Sequence, residues 1–142
     1  VHAHDGFVNK FQGDAALAIF GAPADLTDAP GRALAAARSM IERLEEEVPE
    51  FSAGIGVSAG AAVAGNVGAA SRFEYTVIGD PVNEAARLTE LAKSVPGHVA
   101  VAMSAVERAV EGERGHWRAH TTVRLRGRVE RTRVAIRAGP ER

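Results

Sequence analysis

The sequence reads as one mixed domain of short strands and amphipathic helices, and three stretches carry that reading. Phe7–Phe20 alternates in strand fashion about a Gly13-Asp14 turn, the pattern of a β-hairpin. From about Pro30 to Val48, the residues Leu34, Ala37, Met40, Ile41, Leu44 and Val48 recur at helical spacing. Phe73–Glu90 passes from an aromatic and β-branched run through Gly79-Asp80-Pro81 into a second helix. At 142 residues the chain is one domain, 1–142, long enough for a real core.

The remaining elements follow in order. Val1–Gly6 reads as the tail of a helix stopped by Gly6, and the chain starts without Met, so a piece of a longer protein is expected. Thr27 or Asp28 is placed to cap the first long helix, and Pro49 ends it. The Gly/Ala/Val-rich run from Phe51 to Asn66 reads as two strands, about Ser52–Ser58 and Ala61–Asn66, joined at Ala59-Gly60. Phe73, Tyr75, Thr76, Val77 and Ile78 have the composition of a buried strand. Asp80 is expected to cap the next helix, with Pro81 at its first position. His98–Ala102 reads as a strand, and Ser104 as the cap of a helix over about Ala105–Val110. Trp117, after the Glu111–Gly115 connector, is expected to anchor the edge of the core. Two strands close the chain, about Ala119–Arg126 and Arg131–Arg137, joined at Gly127-Arg128.

Two places carry chemistry. On the second helix, Ala85, Leu88, Thr89, Leu91 and Ala92 share one side, while Asn83, Arg87 and Glu90 share another. An amide and a guanidinium one turn apart near a helix start suit a phosphate-bearing transition state. The same spacing also fits a solvated face with an Arg87–Glu90 pair, and the spacing alone favours that plainer reading. The hairpin tip presents the Asp14 carboxylate beside a glycine that lets a ligand approach the backbone, with Lys10 shortly before it. A lone Gly-Asp pair is more often just a turn, and an inward-facing Lys10 could simply snorkel.

Composition narrows the class. Hydrophobic residues make up 46% and charged residues 25%, as in soluble globular proteins. A net charge of -1 gives no overall basic field for nucleic acid, and the Arg124–Arg133 run has few interleaved aromatics. There is no cysteine, hence no disulfide or thiolate metal site, and no apolar run of membrane-spanning length. His2 and His4, two apart, do not share a helix face for a metal. No phosphate-binding glycine loop of the G-x-x-x-x-G-K-[ST] or G-x-G-x-x-G kind occurs.

Taken together, Y-T-V-I-G-D-P-V-N-E-A-A-R and K-F-Q-G-D-A resemble the signatures of the class III nucleotidyl cyclase catalytic domain. The resemblance covers Phe7 to Ile136, and it implies an α+β, ferredoxin-like fold, a mixed and largely antiparallel sheet with helices on one side. G-I-G-V-S-A-G-x-x-V-A-G-N-V-G would be a core hairpin of that sheet. The activity implied is adenylate cyclase, converting ATP to 3′,5′-cyclic AMP and pyrophosphate. Carried over by position, Asn83 and Arg87 are the catalytic residues, Lys10 and Thr76 face the purine, and Arg126 in Leu125-Arg126-Gly127 meets the triphosphate. Many members have Asp at the position of Thr76. Asp14 is one of two carboxylates for a pair of Mg²⁺ or Mn²⁺ ions, which neutralise triphosphate charge and activate the ribose 3′-hydroxyl.

The resemblance further implies a homodimer with shared sites, ATP as ligand, no nucleic acid or direct membrane contact, and a cytoplasmic setting. The family's first strand, with the other metal carboxylate, and its first helix have no counterpart here, so an N-terminally truncated domain is expected. Two alternatives stand beside adenylate cyclase. One is a catalytically inactive homology domain that senses nucleotide or dimerises. The other is a guanylate cyclase, against which Lys10 speaks.

Overall fold

The computed structural model describes residues 1–12, 15–50, 53–68 and 74–139. After a single 3₁₀ turn at His2–His4, β1 (Phe7–Gln12) pairs antiparallel with β2 (Ala15–Ile19). Helix α1 (Ala29–Glu47) is followed by β3 (Ile55–Val57), β4 (Val63–Val67) and β5 (Glu74–Ile78). Helix α2 (Asp80–Ala92), β6 (Val99–Ala102), α3 (Met103–Arg108) and α4 (Glu111–Arg114) come next, then β7 (Trp117–Val123) and β8 (Thr132–Arg137).

The central sheet runs β3-β6-β8-β7, with β3 parallel to β6 and the other pairs antiparallel. Strand alternation divides its side chains into two sets. Val57, Val99, Val101 and Ala135 pack with Leu34, Ala37 and Ile41 of α1, and with Trp117. Ala100, Ala102, Val134 and Ile136 pack with Leu88 and Ala92 of α2. The two long helices therefore cover opposite faces of this sheet, not one side as expected. Residue size explains the spacing on the α2 face. Gly56 lies so close to α2 that an added Cβ would stand 2.5 Å from the Ala85 carbonyl oxygen and the Thr89 nitrogen. Small residues on one edge of G-I-G-V thus admit a helix, and β-branched ones on the other edge build the core.

The expected β3–β4 hairpin does not form. β3 pairs with β6, while β4 pairs with β5 in a separate two-stranded ribbon. In that ribbon Val63 lies opposite Ile78, and both side chains are exposed. Of the four described residues expected to form a buried strand, Tyr75, Thr76, Val77 and Ile78, Val77 alone is buried; Phe73 lies outside the described residues. Asp28 caps α1, accepting from the Gly31 amide. Neither Asp80 nor Ser104 caps as expected: α2 starts from Gly79, at φ 147°, and α3 from Ala102, without side-chain capping bonds. Trp117 is buried as foreseen, its indole donating to Glu113 at 2.8 Å.

Candidate active site

Helix α2 and the β7–β8 loop build a cleft of about 350 Å³, lined by Asp80, Asn83, Ala86, Arg87, Arg126, Gly127 and Arg128. The buried stripe of α2, Glu84, Leu88 and Ala92, turns Asn83 and Arg87 toward this opening. The loop arrives as a tight turn in which the Arg128 amide donates to the Leu125 carbonyl at 3.0 Å. Gly127 takes φ 83° at its third position, a conformation that favours glycine. Leu125 is buried in the α2-side core, so Arg126 rides at the tip.

Three of the six expected site residues meet here. Asn83 is exposed. Arg87 donates to Glu90 at 3.0 Å, and Arg126 approaches the same carboxylate at 3.5 Å. The solvated-face pair and the convergent cationic face are therefore the same arrangement. Lys10 and Thr76 stand elsewhere: Lys10 on β1 lies opposite Leu17 of β2, Thr76 on β5 lies opposite Gly65 of β4, and both are half-buried. Their strands are joined by the Asn9 side chain, which donates to the Tyr75 carbonyl at 3.0 Å, and by a tilted Phe7–Tyr75 ring contact. Asp14 lies outside the described residues.

Sequence reasoning missed the ion cluster at the cleft floor. Arg128 donates through Nε and Nη2 to the two oxygens of Asp80, at 3.0 and 2.6 Å, and through Nη1 to Glu84 at 2.6 Å. Glu84 also accepts from Thr132 at 2.8 Å and from the Ser58 hydroxyl. Bonding from the Arg128 guanidinium holds the Asp80 carboxyl below its ordinary range, and bonding to Asp80 raises Arg128 in turn. The signal was the i, i+4, i+8 spacing of Glu84, Leu88 and Ala92, which puts a carboxylate on the buried stripe, where it needs a cation.

Three guanidiniums line the cleft: Arg128 is held by Asp80 and Glu84, while Glu90 alone answers both Arg87 and Arg126. Among the described residues no group of three or more His, Asp or Glu side chains could hold a metal ion. Of the residues lining the cleft, Asp80 alone carries a carboxylate, and Arg128 engages both of its oxygens.

A mixed sheet with helices on both faces and an arginine-lined cleft at a helix start define an α+β domain. Residues 5–137 match the model of the adenylate and guanylate cyclase catalytic domain, and the chain belongs to that family. It is 57% identical over 136 residues to the uncharacterized protein Rv1319c of Mycobacterium tuberculosis, covering 96% of this chain and 25% of that protein. An uncharacterized protein of Mycobacterium bovis, Mb1352c, is 56% identical over 139 residues, with 98% and 26% covered. The chain thus spans about a quarter of these relatives' length. Among solved structures, the guanylyl cyclase Cya2 superposes with a TM-score of 0.76 at 25% identity, over 97% of this chain and 72% of that one. A bacterial light-regulated adenylyl cyclase gives 0.76 at 25%, over 96% and 40%. The adenylyl cyclase CyaB of P. aeruginosa shares the fold, with a TM-score of 0.76 at 21% identity over 99% and 76%.

Proposed function

We propose that this domain is the catalytic part of an adenylate cyclase, acting as a homodimer in a cytoplasmic segment of its protein. The observation that carries the reading is the convergence of Asn83, Arg87 and Arg126 on one cleft. In the reaction the ribose 3′-oxygen of ATP attacks the α-phosphorus, the bond to the β-phosphate oxygen breaks, and pyrophosphate leaves. The 3′-hydroxyl proton passes to solvent. Asn83 orients the ribose through its amide, and Arg87 meets the charge that grows on the phosphorus oxygens. Arg126 holds the triphosphate tail. Lys10 donates to the adenine ring, and Thr76 lies against the purine on the neighbouring strand.

Asp14 is the residue of this chain that would hold Mg²⁺ or Mn²⁺, which would supply charge neutralisation to the triphosphate. The test is incubation of the full-length natural protein with ATP or GTP and Mn²⁺, with cyclic nucleotide and pyrophosphate quantified by chromatography. Cyclic AMP as the main product is expected; no cyclic product from either nucleotide would overturn the reading. Guanylate cyclase is the second reading, favoured by the likeness to the guanylyl cyclase Cya2, and dominant cyclic GMP would establish it.

A further inference from the structure

Arg126 and Arg128 stand two residues apart in one turn, yet their surroundings are opposite. The Arg126 side chain is 75% exposed, with Glu90 at 3.5 Å. The Arg128 side chain is 13% exposed and is gripped on both edges of its guanidinium, by Asp80 on one and by Glu84 and Thr132 on the other. Two carboxylates answer this one cation, so Arg128 has no charge left over for a phosphate. Glu84 is itself fixed by Ser58 at the end of β3 and by Thr132 at the start of β8. The cluster therefore ties the turn to α2 and to the central sheet.

The turn has a second anchor. Leu125 is buried against the α2-side core, and Arg128 closes the turn by donating its amide to the Leu125 carbonyl at 3.0 Å. Arg126 sits between the two fixed points, on the same cleft as Asn83 and Arg87. A long, exposed arginine on an untethered loop would lose much conformational freedom on meeting a ligand. With the turn clamped at Leu125 and Arg128, most of the backbone part of that loss is already met on folding.

We propose that Arg128 is a positioning residue: its fork to Asp80 and Glu84 fixes Arg126 over the Asn83–Arg87 face, where it meets the polyphosphate chain of a nucleoside triphosphate. The inference rests on the cyclase reading of the cleft.

The variant that separates positioning from charge is Asp80→Asn. It loosens the fork but keeps the buried Arg128–Glu84 pair, so the fold is expected to survive. By charge alone, removing a carboxylate from an anion-binding cleft tightens triphosphate binding. Lost positioning does the reverse. In the full-length natural protein, binding of 3′-deoxy-ATP, which cannot cyclise, should weaken about fivefold in Asp80→Asn, within the range for coupled neighbours. In the Arg126→Gln background the same change should have no weakening effect, because Arg128 acts through Arg126. Arg128→Lys should restore less binding than the native residue, since an ammonium cannot span both carboxylates as a planar fork does.

Tighter or unchanged binding in Asp80→Asn would overturn the inference, as would a full additional loss in the Arg126→Gln background. If the unaltered protein binds 3′-deoxy-ATP and makes cyclic nucleotide while these outcomes appear, only the positioning role falls. If the unaltered protein binds no triphosphate, the cyclase reading falls and this inference with it.

Discussion

The side-chain amide of Asn9 donates to the backbone carbonyl of Tyr75 at 3.0 Å, across 66 positions of the chain. Asn9 sits where the β1–β2 register slips, between Val8 and Lys10, so its side chain is turned out of the regular ladder. Each partner immediately precedes a residue assigned to the purine, Lys10 and Thr76. The bond thus joins the strands that would frame one base. Asn9→Ala should leave cyclisation detectable but reduce the preference for ATP over GTP several-fold, read from the ratio of kcat/KM values. An unchanged ratio would limit Asn9 to holding the hairpin.

In the proposed reading Lys10 sets the direction of that preference. An ammonium can donate to a purine ring nitrogen but cannot accept from the N1–H and amine of guanine, and unpaired buried donors are costly. ATP is the expected substrate, and Lys10→Glu should erode the preference. Comparable turnover of both nucleotides by the unaltered protein would remove Lys10 from purine recognition.

Arg87 is expected to act on the transition state. Its pair with Glu90 is largely exposed, and such pairs contribute about 0–1 kcal/mol to stability, so Arg87→Ala should remain folded. Its kcat should fall about 10²–10³-fold, the scale for removing one preorganised stabiliser, with a smaller change in ATP affinity. A variant with normal kcat would return Arg87 to a solvated-face role.

Away from the cleft, Arg38 grips Glu113 with two bonds, at 2.8 and 2.6 Å, and Trp117 adds a third at 2.8 Å. Burial alone would raise the Glu113 carboxyl, but these donors and the Arg38 charge outweigh it and hold the group below its ordinary 4.5. The unfolded chain therefore takes up this proton first as pH falls. The stabilisation is present above about pH 4.5, the ordinary value, and is lost as pH drops through the lower folded value. Glu113→Gln should lower stability near neutral pH by about 3 kcal/mol, the low end for breaking a buried pair, since Arg38 keeps some solvent. It should also flatten the acid limb of a Tm-against-pH curve. An unaltered acid limb would assign that limb to other carboxylates.

What was legible in the sequence was local. The hairpin at Phe7–Ile19, α1 with its Asp28 cap, and the strand–helix passage at Val77–Asn83 each follow from nearby residues. Strand partners were not legible, because G-I-G-V reads the same whether it pairs with β4 next door or with β6, some forty residues on. Asp80 looked like a cap because Asp before Pro suits that position. A distant arginine, Arg128, claimed the carboxylate instead. The same long-range pairing hid Glu84, a charge on a buried stripe whose partner lies 44 positions away. At the cleft, Asn83 and Arg87 were visible as an i, i+4 pair, but their meeting with Arg126 depended on the β7–β8 turn folding back over α2.

The dimer gives the widest test. In the proposed arrangement Asp14 of one subunit serves a site whose Asn83 and Arg87 come from the other, so neither subunit is self-sufficient. In the full-length natural protein, Asp14→Ala and Arg87→Ala homodimers should both be nearly inactive. Mixing them allows heterodimers, in which one of the two symmetry-related sites collects both defects and the other collects none. Cyclic AMP synthesis should then reappear as a fraction of the unaltered rate, and rise with total protein concentration as subunits exchange. The exposed apolar pair Val63 and Ile78 offers an independent handle on assembly. Charging it with Val63→Glu should abolish the rescue if that ribbon lies at the subunit contact. A site built within a single subunit predicts no rescue at any mixing ratio. That result, with both variants folded and dimeric by light scattering, would remove the shared-site mechanism while leaving the cleft of Asn83, Arg87 and Arg126 in place.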